Sequence, residues 1–110
     1  MAEDLAAWFL RLKGYRIVKR NWRTRHGEID LIVEKGQTLV FVEVKARRNQ
    51  RRGRPEEALT PQKQKRLLRL AELFLATFPH PQHEIRLDVI TVDFSCKRPK
   101  ITHYQGVIYG

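Results

Sequence analysis

The chain has 110 residues, 42% of them hydrophobic, with 22 Lys and Arg against 12 Asp and Glu and a formal net charge of +10. That length suits one domain over residues 1–110 with a modest core, and the charge points to a polyanionic partner, nucleic acid or an anionic membrane surface. No apolar run approaches the roughly 20 residues that cross a bilayer, no signal-peptide pattern opens the chain, and one cysteine, Cys96, excludes an internal disulfide or a cysteine metal cage; a cytoplasmic protein is expected.

Residues 2–13 predict an amphipathic helix, with Leu5, Trp8, Phe9 and Leu12 as its buried stripe and Gly14 as its stop. Glu3 in the first turn is accounted for by the helix dipole, a gain of about 0.3–1 kcal/mol. Residues 15–19 read as a short strand with Tyr15, Ile17 and Lys19 on one face. Residues 21–26 then form a basic connector, in which Arg23 and Arg25 are scattered surface charges and His26 is a loop histidine without a partner.

Residues 27–45, GEIDLIVEKGQTLVFVEVK, read as two strands and a tight turn, since β-branched runs flank Lys35-Gly36. Side chains alternate along a strand, so Glu28 and Asp30 share a face, as do Glu43 and Lys45. With Lys35-Gly36 as a two-residue loop, Asp30 falls opposite Phe41 and Glu28 opposite Glu43, which makes Asp30 and Glu43 diagonal neighbours. Three carboxylates and a lysine on one face are costly without a counter-ion. Mg²⁺, held by two or three protein oxygens with room for water and a substrate phosphate, would meet that cost. A solvated sheet face with an ordinary Glu43–Lys45 ion pair is the competing explanation.

Residues 47–55, RRNQRRGRP, hold five arginines and no apolar residue, and read as an exposed loop leaving the strand of Glu43 and Lys45. Arg47, Arg48, Arg51, Arg52 and Arg54 are thereby placed beside the acidic pair, where a polyanion would lie against it. Thr60-Pro61 opens a second helix as N-cap and first residue, with Leu67, Leu70, Ala71, Phe74, Leu75 and Phe78 as its buried stripe and Pro79 as its end. Lys63, Lys65 and Arg66 crowd its early turns, against the dipole, which points to a use on anions. Residues 80–83 form a proline-bounded turn whose two histidines lack the further ligands of a zinc site. Residues 84–94 are a strand with Ile85, Leu87 and Val89 on one face and Arg86, Asp88 and Ile90 on the other, Asp88 pairing with Arg86 or a neighbouring strand. Residues 100–108 supply a last strand. No repeat, glycine-rich phosphate loop or nucleophile triad is present in the sequence. The order helix-strand-strand-strand-helix-strand-strand predicts an α/β fold, a mixed central sheet flanked by helices.

Asp30 followed by Glu43-Val44-Lys45 resembles the D…ExK signature of the restriction-endonuclease-like, PD-(D/E)XK nuclease superfamily. More narrowly, Gly14-Tyr15, Asn21, GEIDLI at residues 27–32, FVEVK at residues 41–45 with Arg47, Lys63, and RLDV at residues 86–89 resemble the small bacterial YraN-like proteins over nearly the whole chain. The resemblance implies a restriction-endonuclease-like core and metal-dependent hydrolysis of DNA, with Asp30, Glu43 and Lys45 catalytic and Asp30, Glu43 and the Val44 carbonyl on Mg²⁺, Mn²⁺ being a substitute. It also implies assistance from Glu28 and Glu3, a phosphate-positioning role for Lys63, and, by likeness to resolvases, branched DNA and a homodimer as expectations. A nucleic-acid-binding module on the same fold, inactive alone or awaiting a partner, is the rival; the basic charge supports both.

Overall fold

The computed structural model describes residues 1–48, 60–78, 84–95 and 97–106. Helix α1 (Ala2–Leu12) leads into strands β1 (Arg16–Thr24), β2 (Gly27–Lys35) and β3 (Thr38–Arg47), helix α2 (Pro61–Thr77), and strands β4 (Glu84–Asp93) and β5 (Lys100–Tyr104). They form one sheet in the order β1-β2-β3-β4-β5, with β3 and β4 parallel and every other pair antiparallel. A parallel pair needs a long return connection, and α2 supplies it. The predicted α/β class and mixed sheet are therefore what the chain adopts. Arg51, Arg52 and Arg54, the turn at residues 80–83, Cys96 and residues 107–108 lie outside the described residues.

The central strands are buried on both faces. Leu31, Val33, Val40 and Val42 pack with Ala6, Ala7 and Leu10 of α1, while Ile32, Phe41, Leu87 and Val89 pack with Leu67, Leu70 and Phe74 of α2. The predicted α2 stripe is the one observed, and Thr60 caps it by accepting from the Lys63 N–H at 3.2 Å. The α1 stripe is corrected. Trp8 is 54% and Leu12 67% exposed, whereas Ala6, Ala7 and Leu10 are sealed. Small alanines let the helix axis approach a sheet whose own side chains are already branched, so proximity outweighs the larger apolar residues.

Two further expectations are corrected. The first strand does not end at residue 19 but continues through the basic connector to Thr24, paired with β2 the whole way. Charged residues suit it because it is an edge strand. A register shift between Ile17 and Lys19 sets Ile17 against Val33 and Lys19 against Ile32, so those two side chains fall on opposite faces. In the β2–β3 hairpin Lys35 pairs with Thr38, which makes Gly36-Gln37 the loop and moves the register by two. Gly36 has φ +60, and a glycine with positive φ at the first loop position fits a type II′ hairpin turn. The even shift leaves β3, and β2 from Leu31 onward, on their expected faces, but Ile29 and Leu31 pack on opposite faces, which breaks the alternation expected to put Glu28 and Asp30 on one face.

At the sheet end formed by the start of β4, the α1 face carries a buried ionic hub. Asp88, 1% exposed, accepts two hydrogen bonds from Arg86 at 2.9 Å, one from the Gly106 N–H at 2.9 Å, and one from His103 Nε2 at 2.7 Å. Arg86 also donates to the Tyr15 hydroxyl at 2.6 Å, and Lys13 lies 2.9 Å from His103 Nδ1. A carboxylate only accepts, so His103 carries its proton on Nε2 and takes the Lys13 bond on Nδ1. The hub joins the end of α1 to β4 and β5, as the expected pairing of Asp88 with Arg86 and a neighbouring strand requires.

Two measurements check these contacts. Ala7→Leu is expected to cost about 1–3 kcal/mol in a denaturant melt by overpacking the α1 face, while Trp8→Ala stays within about 0.5 kcal/mol. Burial pushes the Asp88 carboxyl up, but His103, Arg86 and the Gly106 amide outweigh it and hold it below the ordinary value of 3.8. Its stabilisation is thus complete above 3.8 and is lost as pH falls through the folded pKa. Asp88→Ala is expected to lose about 3–5 kcal/mol at neutral pH, with the gap to the parent chain closing in acid.

Candidate functional site

Pairing between β2 and β3 runs from Lys35–Thr38 to Leu31–Val42. Asp30 and Glu43 are the next residues of the two strands beyond that last pair, near enough for their charges to interact, and there a side chain replaces the backbone ladder. Asp30 Oδ2 accepts from the Val44 N–H at 2.8 Å. Since a strand residue directs its N–H and C=O to the same neighbour, the Val44 carbonyl also lies on Asp30's side of β3. Val42 and Val44 pack toward α1 and Phe41 toward α2, so alternation carries Glu43 and Lys45 to the α2 face. Lys45 Nζ stands 3.4 Å from Glu43 Oε2.

Across from Asp30 on β1 is Asn21, between the pairs Arg20–Leu31 and Trp22–Ile29. Its φ is +50, a left-handed conformation that asparagine tolerates better than most residues. Facing reverses here in both strands. Leu31 packs toward α1 but Ile29 toward α2, and Arg20 reaches the acids of α1 while Trp22 sets its ring edge-on to Phe74 at 5.3 Å. The irregular step takes Asp30 out of the ordinary pleat, and its carboxylate reaches sideways to β3.

The electrostatics follow from this crowding. Burial pushes the Asp30 carboxyl up to about 6; the Val44 N–H pulls against that, and the charges of Glu43, Glu3 and Glu28 add to the rise. Glu3 is therefore within electrostatic reach of the site, beyond the helix-dipole role that the sequence assigns it. Its Oε1 is buried without a hydrogen-bond partner, 3.8 Å from Arg20. Glu28 sits farther out, held by Arg23 Nε at 2.5 Å. Among the described residues no three His, Cys, Asp or Glu side chains converge closely enough to hold an ion unaided. The donor set is a pair of carboxylates, a backbone carbonyl on their side, and the orphaned Glu3 oxygen. Hard oxygens with positions left for water and phosphate fit Mg²⁺ or Mn²⁺.

Among the described residues, several of the predicted cations belong to the end of β3 and the first turns of α2. Because α2 runs back against β3, its amino end lies over the carboxyl end of β3, where Lys45 and Arg47 stand, and over the start of β2. The approach at Gly27 is close. Its φ is +141, and an added Cβ would meet Leu70 Cδ1 at 3.3 Å and Arg66 Cδ at 3.4 Å. The glycine of GEID thus lets α2 approach the start of β2, with Arg66 against it and Lys63 and Lys65 on the preceding turn of the helix. Arg48 lies over the Phe94 ring at 5.5 Å, and the Arg47 carbonyl accepts the Phe94 N–H at 2.7 Å, which ties the base of the arginine-rich segment to the end of β4. Arg20 is the residue for which the sequence gives no signal, because its partners come from α1.

A mixed five-stranded sheet with two helices packed on it is consistent with a nuclease-like α/β core. The model of the uncharacterised protein family UPF0102 matches residues 2–92, and the chain belongs to that family, the YraN-like proteins. It is 54% identical over 91 residues to a UPF0102 protein of Symbiobacterium thermophilum, covering 83% of this chain and 77% of the relative. Similarity to a UPF0102 protein of Nocardia farcinica is 50% over 106 residues, 96% of this chain and 84% of the relative, and to one of Syntrophomonas wolfei 48% over 101 residues, 92% and 88%. Among the described residues no helix is long and apolar enough to cross a membrane.

The raised Asp30 pKa has a measurable sign. Between its ordinary 3.8 and about 6 the folded protein binds the extra proton, so stability falls as pH rises through that window and stays low above it. Asp30→Asn, tested without added metal, is expected to raise the melting temperature above pH 6 and to lose the advantage as pH approaches 4. An unchanged difference across that range would show that burial does not penalise the carboxylate.

Proposed function

We propose that the protein is a metal-dependent phosphodiester hydrolase acting on nucleic acid, with DNA as the expected substrate and Mg²⁺ as the cofactor, Mn²⁺ substituting. The observation that carries the reading is the fork itself: Asp30, part-buried and held by the Val44 N–H next to Glu43 in β3, feels the Glu43 charge, and Lys45 stands 3.4 Å from that glutamate. When bound, the cation supplies polarisation of the scissile phosphate and neutralisation of its charge. Asp30, Glu43 and the Val44 carbonyl are the groups that would hold it, with Glu3 and Glu28 at the margin.

The remaining work belongs to this chain's own side chains. Lys45 projects beside the carboxylate pair, where its ammonium can orient an attacking water and offset negative charge that develops on the phosphate. Lys63, Lys65 and Arg66 bring positive charge to the same end, at the amino terminus of α2, where the positive end of the helix dipole also favours phosphate. Arg47 and Arg48, at and just past the end of β3, add to that charge, and Arg51, Arg52 and Arg54 follow them in the sequence. Such contacts position a backbone and read no sequence, which suits selection by shape, as a branched substrate bound by a two-fold dimer would require.

The deciding experiment is cleavage of labelled linear, single-stranded, flapped and four-way DNAs with Mg²⁺ or Mn²⁺. The parent chain is expected to cut, and Asp30→Ala, Glu43→Ala and Lys45→Ala each to lose at least about 100-fold in rate while retaining DNA affinity. Lys63→Ala with Arg66→Ala is expected to weaken binding and flatten its salt dependence instead. Tight, salt-sensitive binding without cutting would establish the binding module in place of the enzyme.

A further inference from the structure

Glu3 presents an unusual combination. Its side chain is 23% exposed and its Oε1 is buried without a hydrogen bond, while the neighbouring Asp4, 70% exposed and open to water, receives a 2.5 Å bond from Arg20. The same guanidinium nitrogen stops 3.8 Å from Glu3 Oε1, outside hydrogen-bond range and inside Coulomb reach. A buried, unsatisfied carboxylate oxygen is the more costly of the two, yet the solvated acid takes the bond.

The cations nearest the fork are apportioned among its acids. Lys45 stands with Glu43, Arg23 with Glu28, and Arg20 with Glu3 and Asp4. Arg20 differs from the other two in having a second carboxylate outside the fork on which to rest. It is delivered there by β1, one residue before the left-handed Asn21, whose reversal sends Arg20 to the α1 face and Trp22 to the α2 face.

We propose that Arg20 is the resident counter-ion of Glu3: anchored by Asp4, it holds partial positive compensation against the glutamate in the metal-free protein and yields that carboxylate when a divalent cation enters the fork. The proposal rests on the metal-site reading above and assigns Arg20 a positioning role, since it acts through Glu3. Its consequence is a pair of opposite effects. Removing Arg20 takes away a competitor for Glu3. Removing the Asp4 charge takes away the anchor and lets the guanidinium close on Glu3.

Calorimetric titration with Mn²⁺ tests this. Arg20→Ala is expected to bind Mn²⁺ about two- to fivefold more tightly, the range of one part-exposed ion pair, and Asp4→Asn to bind it more weakly by a similar factor. Arg20→Lys should fall between the parent chain and the alanine variant. In a Glu3→Gln background the Arg20→Ala effect should vanish; an equal gain there would mean a general charge effect and overturn the proposal, as would weaker binding by Arg20→Ala alone. A metal-independent arm compares melting temperatures of the metal-free chain. Arg20→Ala should lower the melting temperature, and the loss should shrink in the Glu3→Gln background. An equal loss in both backgrounds overturns the pairing whatever the metal does. Should the parent chain take up no Mn²⁺, the metal reading fails, and with it the competition, while the coupling between the two substitutions still reports whether Arg20 compensates Glu3.

Discussion

The bond between Asp30 Oδ2 and the Val44 N–H stands in for a strand-to-strand hydrogen bond at the place where β2 and β3 part. An amide left open there would be costly, and a carboxylate satisfies it at the price of bringing one buried negative charge near another acid. Much of the surrounding arrangement answers that compromise. Asn21 reverses the pleat across from Asp30, Lys45 leans on Glu43, Arg23 draws Glu28 outward, and Gly27 admits α2 with its lysines and arginine.

The two faces of the sheet divide the labour. On the α2 face lie Glu43, Lys45 and the cations of the helix, all at the carboxyl end of β3, where a parallel β3–α2–β4 unit leaves its strand ends open. On the α1 face, the helix is secured at both ends: Arg20 forms an ion pair with Asp4 near its start, and Lys13 hydrogen-bonds His103 of the Asp88–His103 pair past its end. The position of Glu3 depends on both attachments. A fully hydrogen-bonded hub remote from the fork therefore bears on the fork through the rigid span of α1.

Alternation and β-branched runs made the central hairpin, the long second helix and the shared face of Glu43 and Lys45 legible in the residues alone, because those patterns report burial directly. The hairpin register is not fixed by pattern: Lys35-Gly36 and Gly36-Gln37 are both acceptable two-residue loops, and only the pairing of Lys35 with Thr38 separates them. The burial of α1 is not legible in its apolar pattern, because Trp8 and Leu12 are more hydrophobic than Ala6 and Ala7 while close packing against the sheet prefers the small residues. The extension of β1 through Arg20, Asn21 and Arg23 was hidden by charge, since an edge strand obtains its stability from pairing with β2 and from its own ion pairs. Arg20 and the site role of Glu3 depend on contacts between α1 and β1, which no local window contains.

The order of the strands also bears on how the molecule assembles. β1, β2 and β3 are a meander of chain neighbours, so closing them loses little loop entropy, whereas β4 must return across the whole of α2 and the segment before it to pair with β3. The entropic burden of folding is concentrated in that one non-local pairing. Asp30, Glu43 and Lys45 all belong to the local meander, while Lys63 and Arg66 arrive with the crossover. The acidic half of the site is thus encoded in the part of the chain whose contacts form with least search, and the basic half in the part that docks on it.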